Sequence, residues 1–189
     1  QQIVAGLRGE GQVWGLNADS AYALCADAFS IGGVAKVQEL KGRKDLITPV
    51  LIGRDMTLAG LASHVTPEMR ALAEAFWPGP LTFVVRPSSS LQWVGTSDAM
   101  SIRMPLDELT RSIAFDLGPM VAVGAARDGQ PAPLTAEAGQ ELWPEGVESW
   151  VDSGPADPSR VSTVVDFRGA LPNVMRLGCL DITALRTVV

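Results

Sequence analysis

The chain has 189 residues, 47% of them hydrophobic and 19% charged, with a net charge of −6. That length and composition suit one sizeable core, expected as a single domain over residues 1–189, and exclude a disordered chain. The acidic balance argues against a protein whose main task is gripping a nucleic-acid backbone, and apolar runs such as residues 83–85 are far too short to span a bilayer.

Residues 12–16 read as a short strand. Val34, Val37 and Leu40 share helical spacing and lead into Lys41-Gly42-Arg43-Lys44. Residues 49–53, PVLIG, read as a buried strand. Asp55 is expected to cap a short helix holding Met56, Leu58 and Leu61. Thr66 caps the next helix, with Pro67 in its first turn and Glu68 suited to the dipole. Residues 81–86 and 101–104 read as strands. Leu106, Leu109, Ile113 and Leu117 form one apolar helix face that stops at Gly118. Residues 120–123 form a buried strand that opens into Gly124-Ala125-Ala126. Thr135 caps a helix through Leu142, strands follow at 149–151, 162–167 and 173–176, and Asp181 caps a last short helix. Alternating strands and helices predict an α/β fold, and strand neighbours without helical crossovers predict a mixed sheet.

Cys25 and Cys179 are the only cysteines and form no CxxC pair. Two buried free thiols in a cytoplasmic protein are expected rather than a disulfide. The single histidine, His64, nearly excludes His-dependent triads and metal sites, so no metal ligands are assigned. The chain begins at Gln1 rather than Met, and no signal peptide is visible.

Several residues could carry chemistry. In an extended segment Lys41 and Arg43 project to one side, as two cations gripping a polyphosphate or carboxylate would; a solvated helix end is the plainer reading. Phe76-Trp77-Pro78-Gly79-Pro80-Leu81-Thr82 fixes a rigid corner, with Thr82 able to face a ligand. Arg103 sits inside an apolar strand and needs a carboxylate or a ligand anion. Ser162-Thr163-Val164-Val165-Asp166 opens a strand with two hydroxyls, and Arg176 ends a strand shortly before Gly178.

In this order these motifs, with Gly15-Leu16, Asp19, Pro105, Gly129 and Pro131, resemble the YrdC family of threonylcarbamoyl-AMP synthases from about Trp14 to Gly178. The resemblance implies a single twisted mixed-sheet α/β domain with flanking helices and a concave, basic ligand cleft. It implies synthesis of threonylcarbamoyl-adenylate from ATP, L-threonine and bicarbonate with release of pyrophosphate, for a modified adenosine of tRNA. Mg²⁺ would enter with ATP, and tRNA would be involved only indirectly. By the same resemblance Lys41 and Arg43 serve catalysis, Lys41, Arg43, Ser162, Thr163 and Arg176 hold nucleotide, and Trp14 and Arg103 contact substrate.

The departures from the family pattern are equally informative. Where relatives carry proline–threonine–acid–threonine before a tyrosine, this chain reads Gly9-Glu10-Gly11-Gln12 and then Trp14. Where relatives carry serine–alanine–asparagine, it reads Gly124-Ala125-Ala126, so a hydroxyl and an amide are lost at Gly124 and Ala126. Residues 23–33 read as irregular against the family, Leu177 replaces a usual proline, and Arg127 could supply a new cation. Three readings stand: a synthase with reduced or altered activity; a non-catalytic or repurposed paralogue binding a nucleotide or a protein partner; and an RNA-binding module, ranked last by the acidic composition. Whether the chain is an enzyme is open at this level.

Overall fold

In the computed structural model, residues 1–42, 47–89, 94, 98–127 and 129–189 are described. The strands are β1 (Trp14–Asn17), β2 (Tyr22–Asp27), β3 (Pro49–Leu51), β4 (Leu81–Val85), β5 (Met100–Arg103), β6 (Met120–Gly124), β7 (Ser149–Trp150), β8 (Thr163–Asp166) and β9 (Asn173–Arg176). The helices are α1 (Gln2–Leu7), α2 (Ile31–Lys41), α3 (Leu58–Leu61), α4 (Pro67–Phe76), α5 (Glu108–Leu117), α6 (Ala136–Leu142) and α7 (Ile182–Arg186). Among the described residues, the nine strands form one sheet in the order β7-β1-β2-β6-β3-β5-β4-β8-β9. The sheet is mixed: β3 pairs with β5 and β4 with β8 in parallel, while β2–β6, β3–β6 and β4–β5 are antiparallel. The expected α/β fold with a mixed sheet and flanking helices is what forms. No helix among the described residues is long and apolar enough to cross a membrane.

Side-chain caps set the helix starts where the sequence supplies them. The Ser30, Thr66, Asp107, Thr135 and Asp181 side chains each accept a backbone N–H three residues on, satisfying a donor the helix cannot use itself. Asp55 differs from expectation. It lies inside a 3-10 turn, Asp55–Thr57, and its carboxylate accepts from the N–H of Met56 at 2.7 Å. The apolar face expected on α5 is also shifted. Capping at Asp107 leaves Leu106 ahead of the helix and turns Leu109 outward, so Thr110, Ile113, Ala114 and Leu117 are the buried set.

Two elements were not expected. No strand is expected over residues 22–27, because a short, uniformly apolar run such as YALCA does not by itself distinguish a strand from a buried helix. Pairing with β1 on one side and β6 on the other imposes β2 there. α1 has no side-chain cap, and packing of Val4 and Leu7 is what holds it.

Strand alternation divides the core between the two faces. Leu24, Val50, Phe83, Ile102, Val121 and Val165 point to one face and pack with residues of α2, α3 and α4. Cys25, Leu51 and Met120 point to the other, beneath α1 and α5. Burying each large aliphatic or aromatic side chain of this kind contributes about 1.5–3 kcal/mol. The α1–α5 layer covers only part of its face. Beyond it the same alternation presents Ala23, Thr82, Ser101, Ala122 and Gly124, which line a cleft. Small and hydroxyl-bearing residues thus stand beside Val84, Val164 and Met175 in the cleft lining.

Candidate functional site

The cleft encloses about 400 Å³ and draws its lining from β2, β3, β4, β5, β6, β8 and β9. Its floor is the central sheet, so residues more than a hundred positions apart meet on a rigid platform. Arg103, Ser162, Arg176 and Gly124 all line it, as does Thr82, which the rigid corner before β4 aims inward. That corner is held by the Trp77 indole N–H, which donates to the Leu81 carbonyl at 2.6 Å, and by Gly79 N–H to the Met104 carbonyl at 3.0 Å. Gly79 cannot be replaced freely, because an added Cβ would lie 2.2 Å from the Phe76 carbonyl oxygen.

Arg103 is an interior cation. Its Nη1 donates to the Asp19 carboxylate and its Nη2 to the Ala18 carbonyl at 2.9 Å. Asp19 also accepts the backbone N–H groups of Leu106 at 3.1 Å and Asp107 at 2.8 Å. Burial lowers the pKa of Arg103, the Asp19 carboxylate opposes that shift, and the nearby charge of Arg176 adds to it. The β5 cation therefore carries its own counterion, and Asp19 bridges β1, β5 and the start of α5.

At the far wall, Arg176 donates through Nη2 to the Ser162 carbonyl at 2.9 Å and to the Ser162 hydroxyl at 3.1 Å. The Thr82 hydroxyl meets the same Ser162 hydroxyl at 2.8 Å. Thr163 is directed elsewhere. Its fully buried hydroxyl donates to the Leu180 carbonyl at 2.6 Å and accepts from Gly178 N–H at 2.9 Å. It ties down the segment after β9 and is not part of the cleft lining.

Lys41 is not part of the cleft lining but bonds to the backbone of Gly124, which is. It is the last residue of α2, and Gly42 adopts a left-handed φ of 62°, so Lys41 does not lie in the extended segment expected of it. Its Nζ donates to the Gly124 carbonyl at 2.8 Å and to the Ala126 carbonyl. Arg43 lies outside the described residues. Trp14 is on the same sheet face but belongs to the α1–α5 layer. Its ring abuts Gly6, where an added Cβ would sit 2.3 Å away, and it is absent from the cleft lining. Arg127 also turns away from the cleft, donating to the Leu142 carbonyl at 3.0 Å at the end of α6.

Ser101 was not singled out by the sequence reading, although a serine at an inward position of an apolar strand was the available signal. Gly124 lines the cleft, and there is open space around it on the side a Cβ would occupy. The arrangement offers hydroxyl and guanidinium groups, a set matched to anionic oxygens.

A family described as "Telomere recombination" (Sua5/YciO/YrdC) matches residues 7–178. A Mycobacterium tuberculosis protein provisionally named a threonylcarbamoyl-AMP synthase is 36% identical over 171 residues, covering 89% of this chain and 79% of the relative. The threonylcarbamoyl-AMP synthase of Pyrococcus abyssi is 31% identical and covers 100% of this chain, which spans only 56% of that protein. The solved structure of P. abyssi Sua5 complexed with L-threonine superposes with a TM-score of 0.89 at 29% identity, over 100% of this chain and 56% of that one. The Escherichia coli YciO structure shares the fold, with a TM-score of 0.81 at 18% identity over 97% of this chain and 91% of that one. The chain belongs to the Sua5/YciO/YrdC family.

Proposed function

We propose that the cleft is a threonylcarbamoyl-AMP synthase site working below the rate of relatives that keep every polar group. The reaction joins ATP, L-threonine and bicarbonate, releases pyrophosphate, and supplies a tRNA modification in the cytoplasm. The observation that carries this reading is the convergence of Arg103, Arg176 and Ser162 in one cleft, with Lys41 bonded to the carbonyl of Gly124 in its lining.

Adenylate formation needs charge neutralised on a triphosphate as pyrophosphate leaves, and two substrates held in reacting geometry. Arg176 and Lys41 are the cations assigned to the phosphates, and Arg103 with Asp19 orients the threonine side. The cleft lining presents guanidinium and hydroxyl groups rather than a set of carboxylates. Asp19, the acid beside it, is already saturated by Arg103 and two amides. Mg²⁺ therefore enters with the triphosphate, as part of the substrate.

A non-catalytic nucleotide-binding role is the second reading. Loss of side-chain donors at Gly124 and Ala126, together with engagement of Lys41 by the carbonyls of those two residues, favours it. One lost oriented donor reduces rate on the order of 10²–10³. Pyrophosphate release with ATP, threonine and bicarbonate, measured beside MgATP calorimetry, separates the readings. Threonine-dependent release, slow but above background, is expected; MgATP binding without it supports the second reading, and neither signal overturns both.

A further inference from the structure

Trp143 stands at the C-terminal end of α6, 3% exposed, and no sequence motif marks it. Its indole N–H donates to the Ala125 carbonyl at 2.7 Å. The carbonyls on either side, of Gly124 and Ala126, are the two that Lys41 Nζ binds. Three consecutive carbonyls of the segment that lacks a hydroxyl and an amide are thus held by two side chains. In an extended chain, carbonyls two apart share an edge and the one between faces the other edge. Lys41 takes the first edge and Trp143 the second. The same indole ring lies 5.9 Å from Lys41 Nζ and 4.7 Å from the Arg127 guanidinium carbon, within cation–π range.

We propose that Trp143 is a positioning residue for Lys41, which bonds the end of β6 beside the cleft. It fixes the backbone of 124–126 from below and, through those carbonyls and its ring face, sets where the Lys41 ammonium stands. A buried carbonyl that loses its donor must turn or take up water. Displacing Ala125 moves both neighbouring carbonyls, so Lys41 would lose two partners at once. The consequence for nucleotide rests on the proposed ATP site; the positioning of Lys41 does not.

The test uses Trp143→Phe, which keeps an aromatic face and removes the N–H. Leu185→Ala serves as a control for loss of stability, at a buried core residue in α7. The first readout is competitive acylation of the folded protein, with Lys41 labelling scored against Lys36 by peptide mass spectrometry. The second is MgATP affinity by calorimetry. Trp143→Phe is expected to raise relative Lys41 labelling about two- to tenfold, the factor one hydrogen bond is worth, and to weaken MgATP by a similar factor. Leu185→Ala is expected to change neither. Lys41 labelling that is unchanged in folded Trp143→Phe, or raised equally in Leu185→Ala, overturns the positioning role. Wild-type protein that binds no MgATP while Trp143→Phe still exposes Lys41 overturns the nucleotide site and leaves the positioning role standing.

Discussion

The Asp19 carboxylate and the Arg103 guanidinium form an interior ion pair across 84 residues of sequence, their side chains 1% and 12% exposed. Asp19 holds this position with a φ of 69°, a left-handed conformation that few residues other than glycine, asparagine and aspartate adopt readily. The pair fixes the cation at the cleft wall and ties the turn after β1 to the start of α5.

Removing one partner of a buried pair costs about 3–5 kcal/mol, because the other charge is left uncompensated. Asp19→Ala is therefore expected to lower the melting temperature on the order of 6–20 °C, at roughly 2–4 °C per kcal/mol for a chain of this size. Asp19→Asn keeps the backbone conformation and should lose less. Thermal unfolding of both variants is the measurement. Near-wild-type melting for Asp19→Ala would mean that Arg103 finds another partner and that the pair does not organise the site.

Restoring polar groups at the 124–126 segment is expected to be tolerated. An added Cβ at Gly124 meets nothing within 4 Å, and asparagine and serine both suit turns. The double variant Gly124→Ser with Ala126→Asn should bind MgATP about two- to tenfold more tightly, the gain from one neutral hydrogen bond. Full synthase activity is not expected, since Gly9-Glu10-Gly11-Gln12 still lacks the threonine hydroxyls of the family pattern. Calorimetry on the two folded proteins decides it. Equal or weaker affinity in the variant would show that nucleotide does not approach this segment.

The two thiols should differ sharply. Both are free, as expected, but only Cys25 is buried; Cys179 is exposed, against the expectation of two buried thiols. Burial pushes the Cys25 thiol far above its ordinary pKa, and the thiolate is the reactive form. A thiol reagent at neutral pH should titrate one equivalent rapidly in the native protein and the second only on unfolding. Two fast equivalents in folded protein would indicate that the β1–β2–β6 layer opens readily.

Much of the fold was legible in the chain. Capping side chains at Thr66, Thr135 and Asp181 and the apolar runs of β3, β4 and β6 are local signals, because a cap or a buried strand needs only its own few residues. The motif order that identified the family is likewise a property of sequence alone. β2 and α1 were not legible: a short, uniformly apolar run and an uncapped six-residue helix have no local preference strong enough to declare them, and only pairing and packing make them regular. The same division runs through the site. The types of residue were visible, but Arg103 gained its counterion, Thr163 turned its hydroxyl to Leu180, Trp14 joined the layer under α1, and Lys41 reached the carbonyls of Gly124 and Ala126. Each of those outcomes depends on a partner remote in sequence. The direction of a side chain is set by the pleat of its strand and by what the neighbouring strands bring beside it, and neither is written in the residues on either side.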